Sequence, residues 1–399
     1  MPPGRRVPLR PLASRARRIR PFIVMDILER ARQLEARGRR IIHMEIGEPD
    51  FPTPGPVIEA GMKALAGGAL HYTAAAGMEP LRRTIAHHYL RRYGVRVAPE
   101  RIFLTPGASG AFLLVLALVL ESGDQVLMTD PGYPCNRNLV RLFGGEPVLV
   151  PVDGESNFHL TPGLVRANWS ARTAGVWITS PANPTGTVID TNVLDAICLE
   201  VENQGGFLIS DEIYHGLTYG CRCISALEIS DHAFVVNSFS KYFGMTGWRL
   251  GWAVIPENFV DAATRIVQNL FIAAPTLSQQ AALAAFDEET GRELERRRRE
   301  FEARGRFLYH ALVNLGFSLA SYPQGAFYLY ADCSAFTKDS YRFAVELLEQ
   351  AGVATTPGHD FGTKEAASHV RFAYTTSLEN LQEGVDRIAA YLKVNKPTR

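Results

Sequence analysis

The chemically richest stretch of the chain is Asn237-Ser-Phe-Ser-Lys-Tyr-Phe-Gly-Met-Thr-Gly-Trp-Arg-Leu-Gly251. A lysine stands just beyond an apolar run, with two serine hydroxyls close before it and an arginine eight residues after it. Such a setting suits a phosphorylated aldehyde. Lys241 would form a Schiff base with the carbonyl carbon, while Ser238, Ser240 and Arg249 would hold the phosphate through hydroxyl and charge-assisted bonds. A lone Ser-x-Lys carries little weight, since most lysines are simply solvated. The complete stretch carries more.

Chemistry of this kind needs several chain segments to meet, and the sequence shows where they come from. Between about 100 and 255, short β-rich runs alternate with helical stretches: Ile102–Thr105, Gln125–Thr129, Pro147–Pro151, Gly175–Ser180, Phe207–Ser210, Phe234–Ser238 and Gly251–Val254. Most are continuously apolar, as strands covered on both faces must be. Intervening helices imply right-handed crossovers, so the expected fold class is α/β with a mainly parallel seven-stranded sheet between helices. In such sheets, binding groups gather at the carboxyl edge. Five strand ends lead there into polar groups: Thr105 to Gly107-Ala108-Ser109, Thr129 to Tyr133, Ser180 to Asn183, Ser210 to Asp211 and Tyr214, and Ser238 to Lys241.

Beyond about 285 the pattern changes. A charged helix over Glu293–Arg306 and a helical Phe307–Leu315 precede strand-like Ala326–Tyr330 and Val370–Ala373. The expected division is a basic extension (1–20), an arm and part of a small domain (21–50), a large domain (51–285) and a small α+β domain (286–399). A helix around Asp26–Arg37 would complete the small domain. Four adjacent arginines, Arg296–Arg299, lie among acids and read as a solvated, ion-paired helix face rather than a nucleic-acid patch.

Composition narrows the function. With 399 residues, 46% hydrophobic and 21% charged, the chain has the make-up of a soluble protein with more than one core. A formal net charge of +1 gives no electrostatic reason to expect nucleic acid. Ala111–Leu120 is half the length of a membrane span, so no membrane partner is expected. The five cysteines have no metal or disulfide spacing and read as reduced cytoplasmic thiols, with no metal site. Residues 1–20 hold seven arginines, four prolines and no acid, and are expected to be disordered.

From about residue 21 onward the chain resembles the class I/II aminotransferases, the fold-type I enzymes that use pyridoxal phosphate. The lysine stretch and the other motifs fall in that family's order and spacing. The resemblance implies that Asp211 pairs with the cofactor's pyridine nitrogen and keeps it protonated. Tyr214 would hydrogen-bond the ring oxygen, Asn183 would contact that oxygen and the substrate carboxylate, and Tyr133 would stack on the ring. Gly107, Ala108 and Ser109 open the apolar helix and would bring backbone N–H groups to the phosphate. Tyr72 would reach the neighbouring subunit's phosphate, which implies a homodimer with shared sites. Arg371 would grip the substrate α-carboxylate through a planar guanidinium, and the Gly47 backbone would touch substrate. Taken singly, each motif also has an ordinary structural reading: a turn at Asn183-Pro-x-Gly186, a helix cap at Asp211, a surface tyrosine at 133.

The reaction so implied transfers an amino group between an L-amino acid and a 2-oxo acid by ping-pong kinetics. Some relatives bind a second substrate carboxylate with a lysine where this chain has Ser109. Others use a partner-subunit arginine near the position of Phe271-Ile272-Ala273. Neither cation is present, so a neutral side chain is expected, with the apolar Pro21–Val24 arm as its lid. The alternatives are a carbon–sulfur β-lyase on the same fold and, more remotely, a non-catalytic regulator that binds the cofactor.

Overall fold

The computed structural model describes residues 12–395. The seven apolar runs pair into one sheet: β1 Ile102–Pro106, β2 Gln125–Asp130, β3 Glu146–Pro151, β4 Thr173–Thr179, β5 Phe207–Asp211, β6 Phe234–Ser238 and β7 Leu250–Val254. Their spatial order is β1-β7-β6-β5-β4-β2-β3. Strand β7 runs antiparallel to both neighbours, and every other pair is parallel. The register decides which polar groups meet. Thr105 and Ser238 both lie opposite Gly251, while Asp211 lies between Thr179 and Val236.

The continuous apolar runs are explained by helices on both faces. Successive side chains of a strand point to opposite sides. Leu104, Leu127, Val176, Ile178 and Leu208 therefore join Leu81, Ile85 and Tyr89 of helix Glu79–Tyr93 in one core. Their neighbours Phe103, Val126, Trp177 and Ile209 join Phe112 and Val115 of helix Gly107–Val119 in another. Each such side chain, fully buried, contributes about 1.5–3 kcal/mol.

A further core is built by the long helix Glu288–Leu315, whose Phe301, Leu308 and Leu312 pack with Leu381 and Ile388 of helix Leu378–Val394. Both line a three-stranded antiparallel sheet in the order Thr356–Pro357, His369–Ala373, Tyr328–Asp332. Ile42–His43 pairs in parallel with Val353–Ala354, and helix Ile23–Glu35 buries Ile27 and Ala31 against Ala344 and Leu348. No helix among the described residues is long and apolar enough to cross a membrane, and all five cysteines are free thiols.

Several sequence expectations are corrected. The two helical pieces expected after Glu293 are one helix, closed by Gly316 at φ 99°. The expected strand at Ala326 starts two residues later, because Ala326 takes a left-handed φ of 54°. The helix expected at Asp26, the first long one in the chain, begins instead at Ile23, since its free N–H groups find a cap far along the chain: the Asp360 carboxylate accepts from Ile23 N at 2.8 Å and Val24 N at 3.4 Å. The Arg296–Arg299 run is not wholly solvated. A helix turns about 100° per residue, which carries Arg297 inward, 6% exposed and bonded to the Pro52 carbonyl at 2.7 Å. Arg298 and Arg299 pair with Glu295, and Arg298 also with Glu302. Of the extension expected to be disordered, residues 1–11 lie outside the described residues, while Ser14–Arg18 form a short helix with no buried side chain.

The sheet is tied to the C-terminal segment by Asp130, at the end of β2. Its buried carboxylate accepts from Thr363 N at 3.0 Å, Thr363 Oγ1 at 2.7 Å and Lys364 N at 3.3 Å. Just beyond it, Gly132 N donates to the Phe361 carbonyl at 3.0 Å. Asp130→Ala would strand these donors, and we expect it to lower the free energy of unfolding by about 2–3 kcal/mol. Urea unfolding followed by circular dichroism measures this; an unchanged midpoint would show that the loop is held by its other contacts.

Candidate active site

The carboxyl ends of β1, β4, β5 and β6 come together with residues from both ends of the chain. Lys241, three residues beyond β6, donates from Nζ to the Gly47 carbonyl at 2.7 Å. Burial lowers its pKa to about 8, helped by Arg371 and Arg249 and opposed by Glu48. A lysine so placed keeps a neutral fraction near physiological pH and can act as nucleophile or base.

Asp211 ends β5 and is 1% exposed. Burial raises its pKa to about 7, and the groups opposing that rise are all neutral: the Ile213 N–H, the Asn136 side chain and the Thr179 hydroxyl. Tyr214, equally buried, shares a hydrogen bond of 2.9 Å with the Tyr328 hydroxyl.

Arg371 sits in the middle of strand His369–Ala373 and is 4% exposed. Its Nη1 donates to Asn183 Oδ1 at 2.8 Å. Nη2 donates to the Glu45 carbonyl and to Thr356 Oγ1 at 3.2 Å. The guanidinium lies over the Tyr328 ring at 4.3 Å and the Phe361 ring at 4.8 Å. Gly47 makes this crowding possible. A Cβ there would come within 1.8 Å of the Tyr328 hydroxyl oxygen, so no larger residue fits without moving the tyrosine.

A small-residue cradle forms where the helix Gly107–Val119 starts. A Cβ on Gly107 would meet Arg249 Nη2 at 2.6 Å, and one on Gly251 would meet the Ala108 N atom at 2.7 Å. Arg249 itself holds a left-handed φ of 53° and donates to the Thr246 carbonyl at 2.8 Å. Ser238, opposite Gly251 in the sheet, and Ser240 are both buried, with Ser240 N donating to Ser238 Oγ at 3.0 Å. Ser109, by contrast, is exposed. Tyr133 is 37% exposed, and its ring stacks with Phe22 of the arm at 6.1 Å. Tyr72 stands out from the chain at 82% exposure. The structure thus brings Gly47, Asn183, Lys241 and Arg371 into one connected set and leaves Tyr72 apart from it.

Sequence reasoning passed over residues that complete the arrangement. Tyr328 links Tyr214 to Arg371, Asn136 backs Asp211, and the Glu45 carbonyl and Thr356 hydroxyl hold Arg371. Only Asn136 carried a usable signal, one turn into the helix that follows Tyr133. Asp360 matters as well, since it caps the first helix while Arg137 donates to its carbonyl at 2.6 Å.

These residues fit pyridoxal phosphate. The buried Asp211 carboxylate wants a positive partner, which a protonated pyridine nitrogen provides. The cradle of Gly107, Ala108 and Gly251 leaves backbone N–H groups and Arg249 free of side-chain bulk, as a phosphate requires.

Comparison with known proteins gives the same direction. The sequence model of the family "Aminotransferase class I and II" matches residues 39–388. The (5-formylfuran-3-yl)methyl phosphate transaminase of Methanocaldococcus jannaschii is 38% identical, over 96% of this chain and 99% of its own. The valine–pyruvate aminotransferase of Mycobacterium tuberculosis is also 38% identical, over 93% and 96%. The crystal structure of aspartate aminotransferase from Thermus thermophilus with maleate superposes with a TM-score of 0.91 at 34% identity, covering 96% of this chain and 100% of that one. On that family match, and with relatives that span nearly its whole length, the chain belongs to the class I and II aminotransferases and is a pyridoxal-phosphate-dependent transaminase.

Proposed function

We propose that this transaminase exchanges an amino group between an L-amino acid with a neutral side chain and a 2-oxo acid, at the carboxyl edge of the large sheet. The observation that carries this reading of the site is Asp211, a carboxylate 1% exposed on which only neutral groups are seen to act. In this reading Asp211 faces the pyridine nitrogen, Tyr214 and Asn183 the ring oxygen, and Tyr133 the ring face. Gly107, Ala108, Ser109, Ser238, Ser240 and Arg249 face the phosphate, with Tyr72 serving the partner subunit's. When bound, the cofactor supplies an electron sink for the pair left on the substrate α-carbon.

The remaining work falls to the chain. Arg371 meets the substrate carboxylate with two parallel donors once its present partners give way, and Asn183 supports it. The Gly47 backbone limits the space beside the α-carbon. Lys241 Nζ, with its pKa lowered to about 8, takes the α-proton and returns it on the other side of the transfer. Phe22, stacked with Tyr133, puts the apolar arm beside the ring that would face the cofactor.

A neutral substrate is supported by Ser109 and by Phe271-Ile272-Ala273, which put no cation where a second carboxylate would need one. The named substrates of the valine–pyruvate relative agree. A homodimer is supported by exposed Ile58, Met62, Leu65 and Ile272, apolar side chains that a second copy would cover together with Tyr72. The free cysteines accord with a reducing compartment such as the cytoplasm. The division at about residue 285 into large and small domains rests on where most of each core lies: one core falls wholly before it, and most of the core around Phe301 and Leu308 falls after it, joined there by Tyr214, Leu217 and Tyr219.

The substrate reading predicts that valine, alanine, leucine, methionine or phenylalanine converts the cofactor's absorbance to that of its amine form, and that a 2-oxo acid restores it. Conversion by aspartate in preference to all of these would overturn it. Arg371→Lys loses the planar paired donors, so KM for both substrates should rise about 10–100-fold, from the 1.5–3 kcal/mol of a hydrogen bond to charge. Steady-state kinetics on both substrates provides the check, and an unchanged KM would remove Arg371 from the carboxylate site. Because Nζ must be unprotonated to add to an aldehyde, stripped enzyme should regain its cofactor band faster as the pH rises toward about 8 and level off above it. A flat pH profile for that recovery would contradict the burial-lowered amine.

A further inference from the structure

We infer that His43 is a positioning residue for the arginine that binds the substrate carboxylate: it clamps the strap Met44–Gly47 to the end of the first helix and so sets where Arg371 stands. The inference rests on the proposed role of Arg371. His43 Nδ1 lies 2.7 Å from Glu45 Oε1, and Nε2 lies 3.0 Å from Glu35 Oε1, at the end of helix Ile23–Glu35. Ionised carboxylate oxygens only accept, and neutral imidazole has a single N–H. Both contacts are made at once only by the imidazolium.

The strap beyond it carries the site. The Glu45 carbonyl accepts from Arg371 Nη2 and from Thr356 Oγ1, the Ile46 carbonyl from Thr375 Oγ1 at 2.8 Å, and the Gly47 carbonyl from Lys241 Nζ at 2.7 Å. The Glu45 side chain is 0% exposed, and its Oε2 has no partner in the protein. A buried carboxylate of this kind depends on its one cation, and loss of that cation leaves the charge uncompensated. The segment that bears it is the segment that aims Arg371.

The Glu45 hydrogen bond, opposed by burial and aided by Glu35, raises the His43 pKa from 6.5 to about 9. On helix Leu378–Val394, which packs against this strand, Glu383 pairs with Arg40 and Arg387, and Asp386 accepts from Gln382. A raised pKa means that the clamp is complete below the ordinary imidazole range and is lost as pH rises through about 9. At neutral pH it is closed.

The test uses holoenzyme of the wild type, His43→Gln and Glu35→Gln. The competitive inhibition constant of 3-methylbutanoate, a carboxylate without an amine, is measured from neutral pH upward, together with KM and kcat for a 2-oxo acid and the cofactor absorbance. At neutral pH, His43→Gln should weaken 3-methylbutanoate and raise KM about tenfold, as expected for a misplaced binding group, with kcat changed much less. Wild-type affinity should fall through a pH of about 9, a limb absent from His43→Gln and moved to lower pH in Glu35→Gln. Unchanged affinity in His43→Gln with the cofactor band intact would overturn the inference. If that variant loses its cofactor band, Glu35→Gln decides alone, and an unmoved alkaline limb overturns it. Failure of the underlying reading looks different: Arg371→Lys itself would leave 3-methylbutanoate binding unchanged.

Discussion

A guanidinium taken almost entirely out of water is the constraint around which this molecule is arranged. Arg371 is accommodated in the interior because its surroundings supply much of what water supplied: oxygen acceptors for its two terminal nitrogens and aromatic rings against the guanidinium. The Glu45 carbonyl, the Asn183 amide and the Thr356 hydroxyl are the acceptors, and Tyr328 and Phe361 are the rings. These belong to the N-terminal strap, the loop after β4, the small sheet and the loop beyond it. No single element could hold the arginine. Each must sit where the others place it, and the sheet register and the Asp130 tie serve that end.

The same economy appears at Asp211 and Lys241. Both are held away from their ordinary ionisation by burial, in opposite directions, toward about 7 and about 8. Each therefore has both of its ionisation states within reach near neutral pH. What separates them from a structural ion pair is that neither has taken the other as partner: Lys241 turns to a backbone carbonyl and Asp211 to neutral donors.

Much of this was legible in the sequence, and the reason is local. Strands buried on both faces leave continuous apolar runs, so all seven strands of the large sheet could be placed to within about two residues. Polar residues directly after those runs marked the carboxyl edge, which is why Lys241, Asp211 and Asn183 stood out. The helix starting at Ile23 was misplaced because its cap, Asp360, is more than three hundred residues away. Arg297 was read as solvated because composition does not tell which face of a helix turns inward. Tyr328, Thr356 and the Glu45 carbonyl were invisible for a related reason: a tyrosine or threonine in a short strand, or a main-chain oxygen, has no pattern of its own until the partner strand is laid beside it.

The tie between Ile23 and Asp360 also bears on the order in which the molecule can be made. The two are separated by 337 residues, and the arginine and loop that complete the pocket follow β7 by more than a hundred. During synthesis from the N-terminus, the sheet with its lysine and aspartate can be finished while the first helix still has no cap and the strap no arginine to hold. Contacts of such long range form late, because the loop they close is costly before they reward it. The helix at Ile23 is thus made early, and its cap at Asp360 exists only once nearly the whole chain has followed.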